Sequence, residues 1–165
     1  MTFVKSETRF PSKAHSIYLA HCGISPLYAP AAKRASELLT EQSLHGGGHF
    51  MDFYTPELDG FKEQMALLLQ TSADNIAAVR NTSEALSMVA NGYPFQPGDE
   101  IITFTHEYPA DYYPWVIQEL KGVSLKLIPN RPARSDIDPG LVGWFSMDDL
   151  EALITPRTRI IALSH

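Results

Sequence analysis

The first half of the chain has the spacing of apolar residues that is typical of amphipathic helices. A first helix is predicted over 27–42, with Ser25 as its cap and Pro26 in its first turn, because a cap accepts hydrogen bonds from free amides and proline has no amide to satisfy. A second helix is predicted from Thr55, with Pro56 in its first turn. Its apolar face is formed by Leu58, Phe61, Met65, Leu68 and Leu69.

In the second half of the chain, short apolar runs alternate with segments of helical spacing. The runs predict strands over 75–81, 99–104, 124–129 and 158–165. The segments between them predict helices over 83–93, 112–122 and 146–154, the last of them capped by Ser146. Short apolar strands separated by helices favour an α/β fold, and we expect a partial, mostly parallel sheet with flanking helices.

Two further features of the second half of the chain are a long irregular segment and the position of the last predicted strand. Residues 130–145 have no clear periodicity, and a loop of that length in a compact domain is often functional. The last predicted strand ends where the sequence ends, at the edge where open α/β sheets bind their ligands. The pattern therefore predicts an incomplete domain.

Composition narrows the class of protein. Of 165 residues, 44% are hydrophobic and 19% are charged, which is typical of a globular protein. The net charge of −6 disfavours nucleic acid and anionic membranes as partners. A single cysteine, Cys22, permits no internal disulfide, and no apolar run suits a signal peptide or a membrane-spanning helix. We expect a cytoplasmic protein.

The strongest local signal for a ligand site is VRNTSEALSMVA, residues 79–90. Here a predicted strand turns through Asn81, Thr82 and Ser83 directly into a helix. A helix start carries free amides and the positive end of the helix dipole, and the two hydroxyl groups can add donors to a phosphate. The alternative is that Thr82 or Ser83 only caps the helix, with Glu84 near the dipole. The residues alone leave both interpretations open.

A second candidate is FTHEYPADYYPW, residues 104–115, which follows the next predicted strand. Aromatic rings just beyond the carboxyl end of a strand can stack on a planar ligand. The alternative is that these rings belong to the core between helix and sheet. The aromatic residues are Tyr108, Tyr112, Tyr113 and Trp115, and the polar residues beside them are His106, Glu107 and Asp111.

Together these segments, RNTSEALSMVANGYPFQPGDEIITFTHEYPADYYPW, resemble the large domain of the class V aminotransferases. These are pyridoxal 5′-phosphate enzymes of fold type I that include cysteine desulfurases and isopenicillin N epimerase-like proteins. The resemblance begins at YLAHCGISP (18–26) and continues through the T-S-E turn, PGDEII and E-x-x-A-x-x-x-P-W to the end of the sequence. It implies an N-terminal arm over 1–25 and an incomplete cofactor-binding large domain over 26–165.

The resemblance also implies roles for individual residues. Thr82 and Ser83 are expected to hold the phosphate of the cofactor. Tyr108 is expected to stack on the pyridine ring, at a position where the family most often has histidine. Tyrosine keeps the stacking and removes a titratable imidazole. Asp111 stands where asparagine is usual, so it either adds negative charge near the site or faces solvent.

Two of the family's cofactor residues are not found in this sequence. The Schiff-base lysine and the aspartate that pairs with the pyridinium nitrogen follow the strand that IIALSH resembles, whereas Lys121 and Lys126 stand at other places in the pattern. Without the lysine, the cofactor can bind only through phosphate and stacking contacts. We therefore expect no catalytic residue here and no activity of the chain alone.

The implied function is that of the N-terminal part of a pyridoxal-phosphate-dependent enzyme that acts on an amino acid. The chemistry is transamination, desulfuration, epimerisation or a lyase reaction. A small-molecule amino acid is the implied substrate, and a homodimer is the implied state of the full-length enzyme. The alternative is a non-catalytic module that binds a phosphate ligand, or a partner through its open sheet edge.

The sequence LHGGGHF, residues 44–50, places three glycines between His45 and His49. An esterase oxyanion loop requires a G-x-S-x-G turn, which is absent. A zinc site needs a third ligand, so no metal is predicted. A plain hinge, with both histidines exposed and idle, stays open as an interpretation. In the class V family a similarly placed pair of histidines lies at the mouth of the cofactor site. That resemblance implies a lid, with His49 as the candidate substrate-binding residue.

Overall fold

The computed structural model describes residues 6–21, 23–131 and 144–164. Cys22 and most of the predicted functional loop over 130–145 lie outside the described residues. No helix in the described ranges is long and apolar enough to cross a bilayer.

The chain forms two compact units, Met1–Ala78 and Val79–His165. The first contains the glycine segment, and the second contains both candidate ligand sites. The predicted division into an arm over 1–25 and a large domain over 26–165 stays a prediction.

The first unit is helical where it is described. Two α-helices, α1 (Ala29–His45) and α2 (Phe50–Leu69), follow one another. An ion pair between Arg34 and Glu57 joins them. Single 3-10 turns lie on either side, at Pro11–Ala14 and Ala73–Asn75.

The predicted starts of both helices are wrong. α1 begins after Tyr28, whose backbone is extended, and Ser25 is not its cap. α2 begins after His49, so Thr55 does not cap it and Pro56 lies inside it. Because the fixed φ of proline suits a helix and only one hydrogen bond is lost, an internal proline gives the same local pattern as one in the first turn.

The glycine segment ends α1, as predicted, although the helix extends to His45 instead of residue 42. Gly46 has a φ of +60°, in the left-handed region that favours glycine. Its N–H donates to the carbonyl oxygen of Gln42 at 2.8 Å and closes the last turn.

The second unit is a parallel α/β structure, which confirms the predicted fold class. Its described strands are β1 (Glu100–Phe104), β2 (Ser124–Ile128) and β3 (Thr158–Ala162). They form one sheet in the order β2-β1-β3, with both pairings parallel. All three were predicted, because each is a short apolar run between turn residues.

The helices of this unit also agree in number with the prediction. They are α3 (Thr82–Gly92), α4 (Pro109–Val116) and α5 (Met147–Leu153). Ser146 caps α5 as predicted, in a capping box with Asp149. α4 begins three residues before the predicted start, with Pro109 in its first turn, and continues as a 3-10 helix over Ile117–Lys121.

The strand predicted over 75–81 is wrong. Its first residue ends a 3-10 turn, and no described strand pairs with the rest. The backbone is extended at Ile76 and Asn81. An apolar extended run becomes a strand only where a neighbouring strand takes up its amides and carbonyls.

The core lies on both faces of the sheet. Consecutive residues of β1 point to opposite faces, so Ile101 and Ile102 enter two separate apolar clusters. The first cluster contains Ala90, Ile101, Trp115, Val123 and Ala162. The second contains Ile102, Ile128 and Leu150. Helices therefore cover both faces of β1, as the apolar run of a parallel strand predicts.

A buried carboxylate joins the amino ends of the strands. Glu100 is only 2% exposed. Its carboxylate lies 2.8 Å from Lys126 Nζ and 3.1 Å from Arg157 Nη2, and it accepts a hydrogen bond from Thr155 Oγ1 at 2.5 Å. The Lys126 ammonium, with the Thr155 hydroxyl and Arg157, lowers the pKa of Glu100 from 4.5 to about 2. This carboxylate thus links β1, β2 and the turn before β3.

We expect Glu100→Gln to destabilise the protein at neutral pH and to have little effect near pH 2. The carboxylate stabilises the fold fully above its unfolded pKa of 4.5, and that contribution is lost as the pH falls towards its folded pKa of about 2. Denaturant unfolding of both proteins across this pH range measures the difference. Glu151→Gln, at an exposed position of α5, is the control; an equal loss for Glu100→Gln at all pH values would contradict the assignment.

Candidate functional site

The turn before α3 is held by hydrogen bonds within residues 80–84. Asn81 Oδ1 accepts from the N–H of Glu84 at 2.9 Å, so Asn81 caps the helix. The carboxylate of Glu84 accepts from the N–H of Arg80 at 2.8 Å and from its Nη2 at 2.8 Å. These bonds to Arg80 lower the pKa of Glu84. The turn is therefore clamped at both ends, around Thr82 and Ser83.

The cap at Asn81 bears on one of the two interpretations of this turn. Because Asn81 caps α3, neither Thr82 nor Ser83 does, and capping does not account for their hydroxyl groups. In the described part of the chain, no group accepts from their amides or bonds to their hydroxyls. Both residues are exposed. Two amides and two hydroxyl groups are thus free at the positive end of a helix dipole.

The aromatic segment divides between core and surface. Trp115 is 2% exposed and belongs to the core, as one interpretation held. Tyr108 and Tyr113 are 74% and 65% exposed, so they lie outside the core. Tyr108 precedes α4, directly after the loop that follows β1. Since the carboxyl ends of parallel strands lie at one edge of the sheet, Tyr108 is at the ligand-binding edge.

Asp111 does not face solvent, which was one of its two predicted alternatives. It is buried, and its Oδ1 accepts from Nε1 of Trp115 at 3.1 Å. Burial raises the pKa of Asp111, and the nearby charge of Glu107 adds to the increase. The aspartate therefore accepts a hydrogen bond from the core tryptophan, and its effect on charge near the site stays a prediction.

A cleft of about 520 Å³ brings the two candidate segments together. It lies between α3 and α4, within the second unit. Ser83 is at one wall and Tyr108 at the other. Ser83 and Tyr108 therefore border one space, whereas Thr82 is not among the residues that line it. The lining also includes Ser87, Asn91, Pro109, Tyr113 and Ile117.

The histidines of the glycine segment lie in the first unit. His49 precedes α2, and its side chain is 61% exposed. Its Nδ1 lies 3.5 Å from Asp52 Oδ2. Its ring contacts that of His45 edge to face, at 5.3 Å between centroids. No group of three or more His, Cys, Asp or Glu residues in the described ranges can hold a metal ion. The substrate-binding role of His49 stays a prediction.

Sequence reasoning missed the residues that build the site without touching its ligand. Asn81 was named only as part of the turn, although asparagine is among the strongest cap residues. Arg80 was not named, although its spacing of four from Glu84 is that of an ion pair on a helix. Neither lysine considered above lies at this edge: Lys126 binds Glu100 at the amino end of the sheet, and Lys121 ends the 3-10 helix that precedes β2.

The sequence profile of the aminotransferase class-V family matches residues 17–165. The chain therefore belongs to this family, as the resemblance implied. Its members are pyridoxal-phosphate enzymes, and the predicted cofactor agrees with the family.

Curated relatives support the same assignment. A probable cysteine desulfurase of Methanothermobacter thermautotrophicus is 24% identical over 171 residues, covering 100% of this chain and 40% of the relative. A cysteine desulfurase of Dickeya dadantii is 30% identical over 129 residues, covering 74% of this chain and 29% of the relative. The chain thus spans less than half the length of these proteins.

A solved structure shows the same fold. A C-DES mutant with glycine covalently linked to its PLP cofactor superposes with a TM-score of 0.80 at 18% identity. The superposition covers 98% of this chain and 41% of that one. At this identity the likeness establishes the architecture alone.

We expect Asp111→Asn to stabilise the protein at neutral pH and to leave its stability unchanged in acid. The raised pKa means that charging Asp111 costs stability as the pH rises from its ordinary value of 3.8 through the folded value. Asparagine keeps the acceptor for Trp115 and removes the charge. Thermal unfolding at neutral and acidic pH measures the effect. Asp111→Ala, which lacks the acceptor, is the control, and a stability loss in Asp111→Asn would contradict the interpretation.

Proposed function

We propose that this chain is the phosphate- and ring-binding part of a pyridoxal-phosphate-dependent enzyme that acts on the amino group of an amino acid. The observation that carries the proposal is the clamped turn before α3. There, Thr82 and Ser83 offer amide and hydroxyl donors that no described residue uses. Family membership supplies the cofactor that such a turn would hold.

The donor set fits a phosphate group. Two amides and two hydroxyls at a helix start suit an anion, and the dipole adds a favourable charge. Glu84 is the acidic residue nearest this turn, and its carboxylate is bound to Arg80. Pairing with the guanidinium offsets the repulsion that a free carboxylate would exert on a phosphate.

Tyr108 suits the flat part of the cofactor. Its exposed ring borders the same cleft as Ser83, and aromatic faces stack favourably at offset geometry. Its phenol ring offers an aromatic face and lacks the imidazole that the family most often has at this position, so this residue contributes stacking.

When bound, pyridoxal phosphate supplies an electron-accepting ring for breaking a bond at the substrate's α-carbon. The residues of this chain bind the phosphate and orient the ring. The resemblance implies that the family's lysine and pyridinium aspartate follow the segment that forms β3, so we propose that the 165 residues alone are inactive. The amino-acid substrate, contact with it by His49, and a homodimer are parts of the same proposal.

We expect the double variant Thr82→Ala/Ser83→Ala to weaken pyridoxal phosphate binding by about 100-fold or more. Each hydroxyl that bonds a charged group contributes about 1.5 to 3 kcal/mol. Titration calorimetry measures the affinity, with inorganic phosphate as a second probe. Ser124→Ala, at the amino end of β2, is the matched control. Unchanged affinity in the double variant would show that the turn is not the phosphate site.

We also expect no lysine-bound cofactor in the chain alone. Pyridoxal phosphate added to the protein should leave with dialysis, since phosphate and stacking contacts are reversible. The visible absorption spectrum before and after dialysis tests this. A band that survives dialysis and disappears on replacement of one lysine would contradict the expectation.

A further inference from the structure

We propose that Glu107 is a positioning residue that orients the ring of Tyr108 towards the cofactor. The proposal rests on the proposed function, because it assigns the residue that supports the stacking position. No motif of the sequence indicated this role.

The carboxylate of Glu107 joins two neighbouring loops of the sheet edge. Its Oε1 accepts from the N–H of Ser164 at 2.7 Å, and its Oε2 accepts from the Ser164 hydroxyl at 2.5 Å. Oε2 also accepts from the N–H of Tyr108 at 3.3 Å. Ser164 follows β3, and Glu107 follows β1, its neighbour in the sheet. The carboxylate therefore fixes one loop against the other.

The backbone on both sides of the Tyr108 ring is held. Its N–H donates to Glu107, and its carbonyl oxygen accepts from the N–H of Asp111 at 2.8 Å. Glu107 itself is anchored through its own N–H, which donates to the carbonyl of Phe104 at 3.2 Å. Residues 104–111 thus form a braced path from β1 into α4.

The side chain of Tyr108 has no such support. Among the described residues, no hydrogen bond or ring contact involves its phenol group. The direction of an unsupported ring is set by its backbone and rotamer. The bonds of Glu107 to Ser164 and to the Tyr108 N–H therefore help to fix the backbone from which the ring extends to the cleft.

Charge explains why a carboxylate suits this position. Hydrogen bonds to a charged acceptor are about twice as strong as neutral ones, and Ser164 directs both of its donors to Glu107. Glutamine keeps one oxygen acceptor, but an NH2 group, which is a donor, replaces the second oxygen that Ser164 requires. A short side chain reaches neither donor of Ser164.

The test separates ring positioning from phosphate binding. We expect Glu107→Ala to weaken pyridoxal phosphate binding about tenfold, as loss of charged hydrogen bonds does, and to leave inorganic phosphate binding unchanged. Glu107→Gln and Ser164→Ala should each give a smaller loss. The double variant Glu107→Ala/Tyr108→Ala should bind no more weakly than Tyr108→Ala, because the two residues act on the same contact.

Three results would overturn the proposal. They are additive losses in the double variant, an equal loss of phosphate binding, and unchanged pyridoxal phosphate affinity in Glu107→Ala. If the wild-type protein binds neither probe, the proposed function is wrong, and amide hydrogen exchange then tests the brace without ligand. Faster exchange of the Tyr108 and Ser164 amides in Glu107→Ala supports the brace formed by Glu107, and unchanged exchange contradicts it.

Discussion

Strand β1 is hydrogen-bonded on both edges, to β2 and to β3, and these two parallel pairings set the positions of the helices and loops around the sheet. Parallel pairing requires a crossover after each strand, so α4 and α5 must cover opposite apolar faces of β1. It also brings all carboxyl ends to one edge, where Tyr108 and Glu107 lie. The carboxylate of Glu100 holds the opposite, amino end to Lys126 and Arg157.

Much of this fold could be predicted from local patterns. The three strands and the cap at Ser146 follow from apolar runs and cap chemistry. The errors have a common origin in information that is not local. Pro56 has helical φ both inside a helix and at its start, and residues 75–81 form an apolar run to which the described sheet offers no neighbour.

The site shows the same division. Thr82 and Ser83 could be proposed from the strand-turn-helix pattern, and Tyr108 from its place in a family motif. The orientation of Thr82 and Ser83 could not be predicted, because it depends on the cap formed by Asn81 and on the ion pair between Arg80 and Glu84. The burial of Asp111 against Trp115 likewise depends on how α4 packs against the sheet. Family membership is established over residues 17–165, and the amino-acid chemistry follows as a proposal.

The central claim is that one phosphate-bearing, ring-containing ligand contacts both the start of α3 and the start of α4. Amide chemical shifts of the isotopically labelled protein, recorded while pyridoxal phosphate is added, test it most directly. We predict that the largest changes occur at Thr82, Ser83 and Tyr108, and that inorganic phosphate reproduces the first two without the third. Changes confined to other residues, or no changes at saturating ligand, would contradict the account.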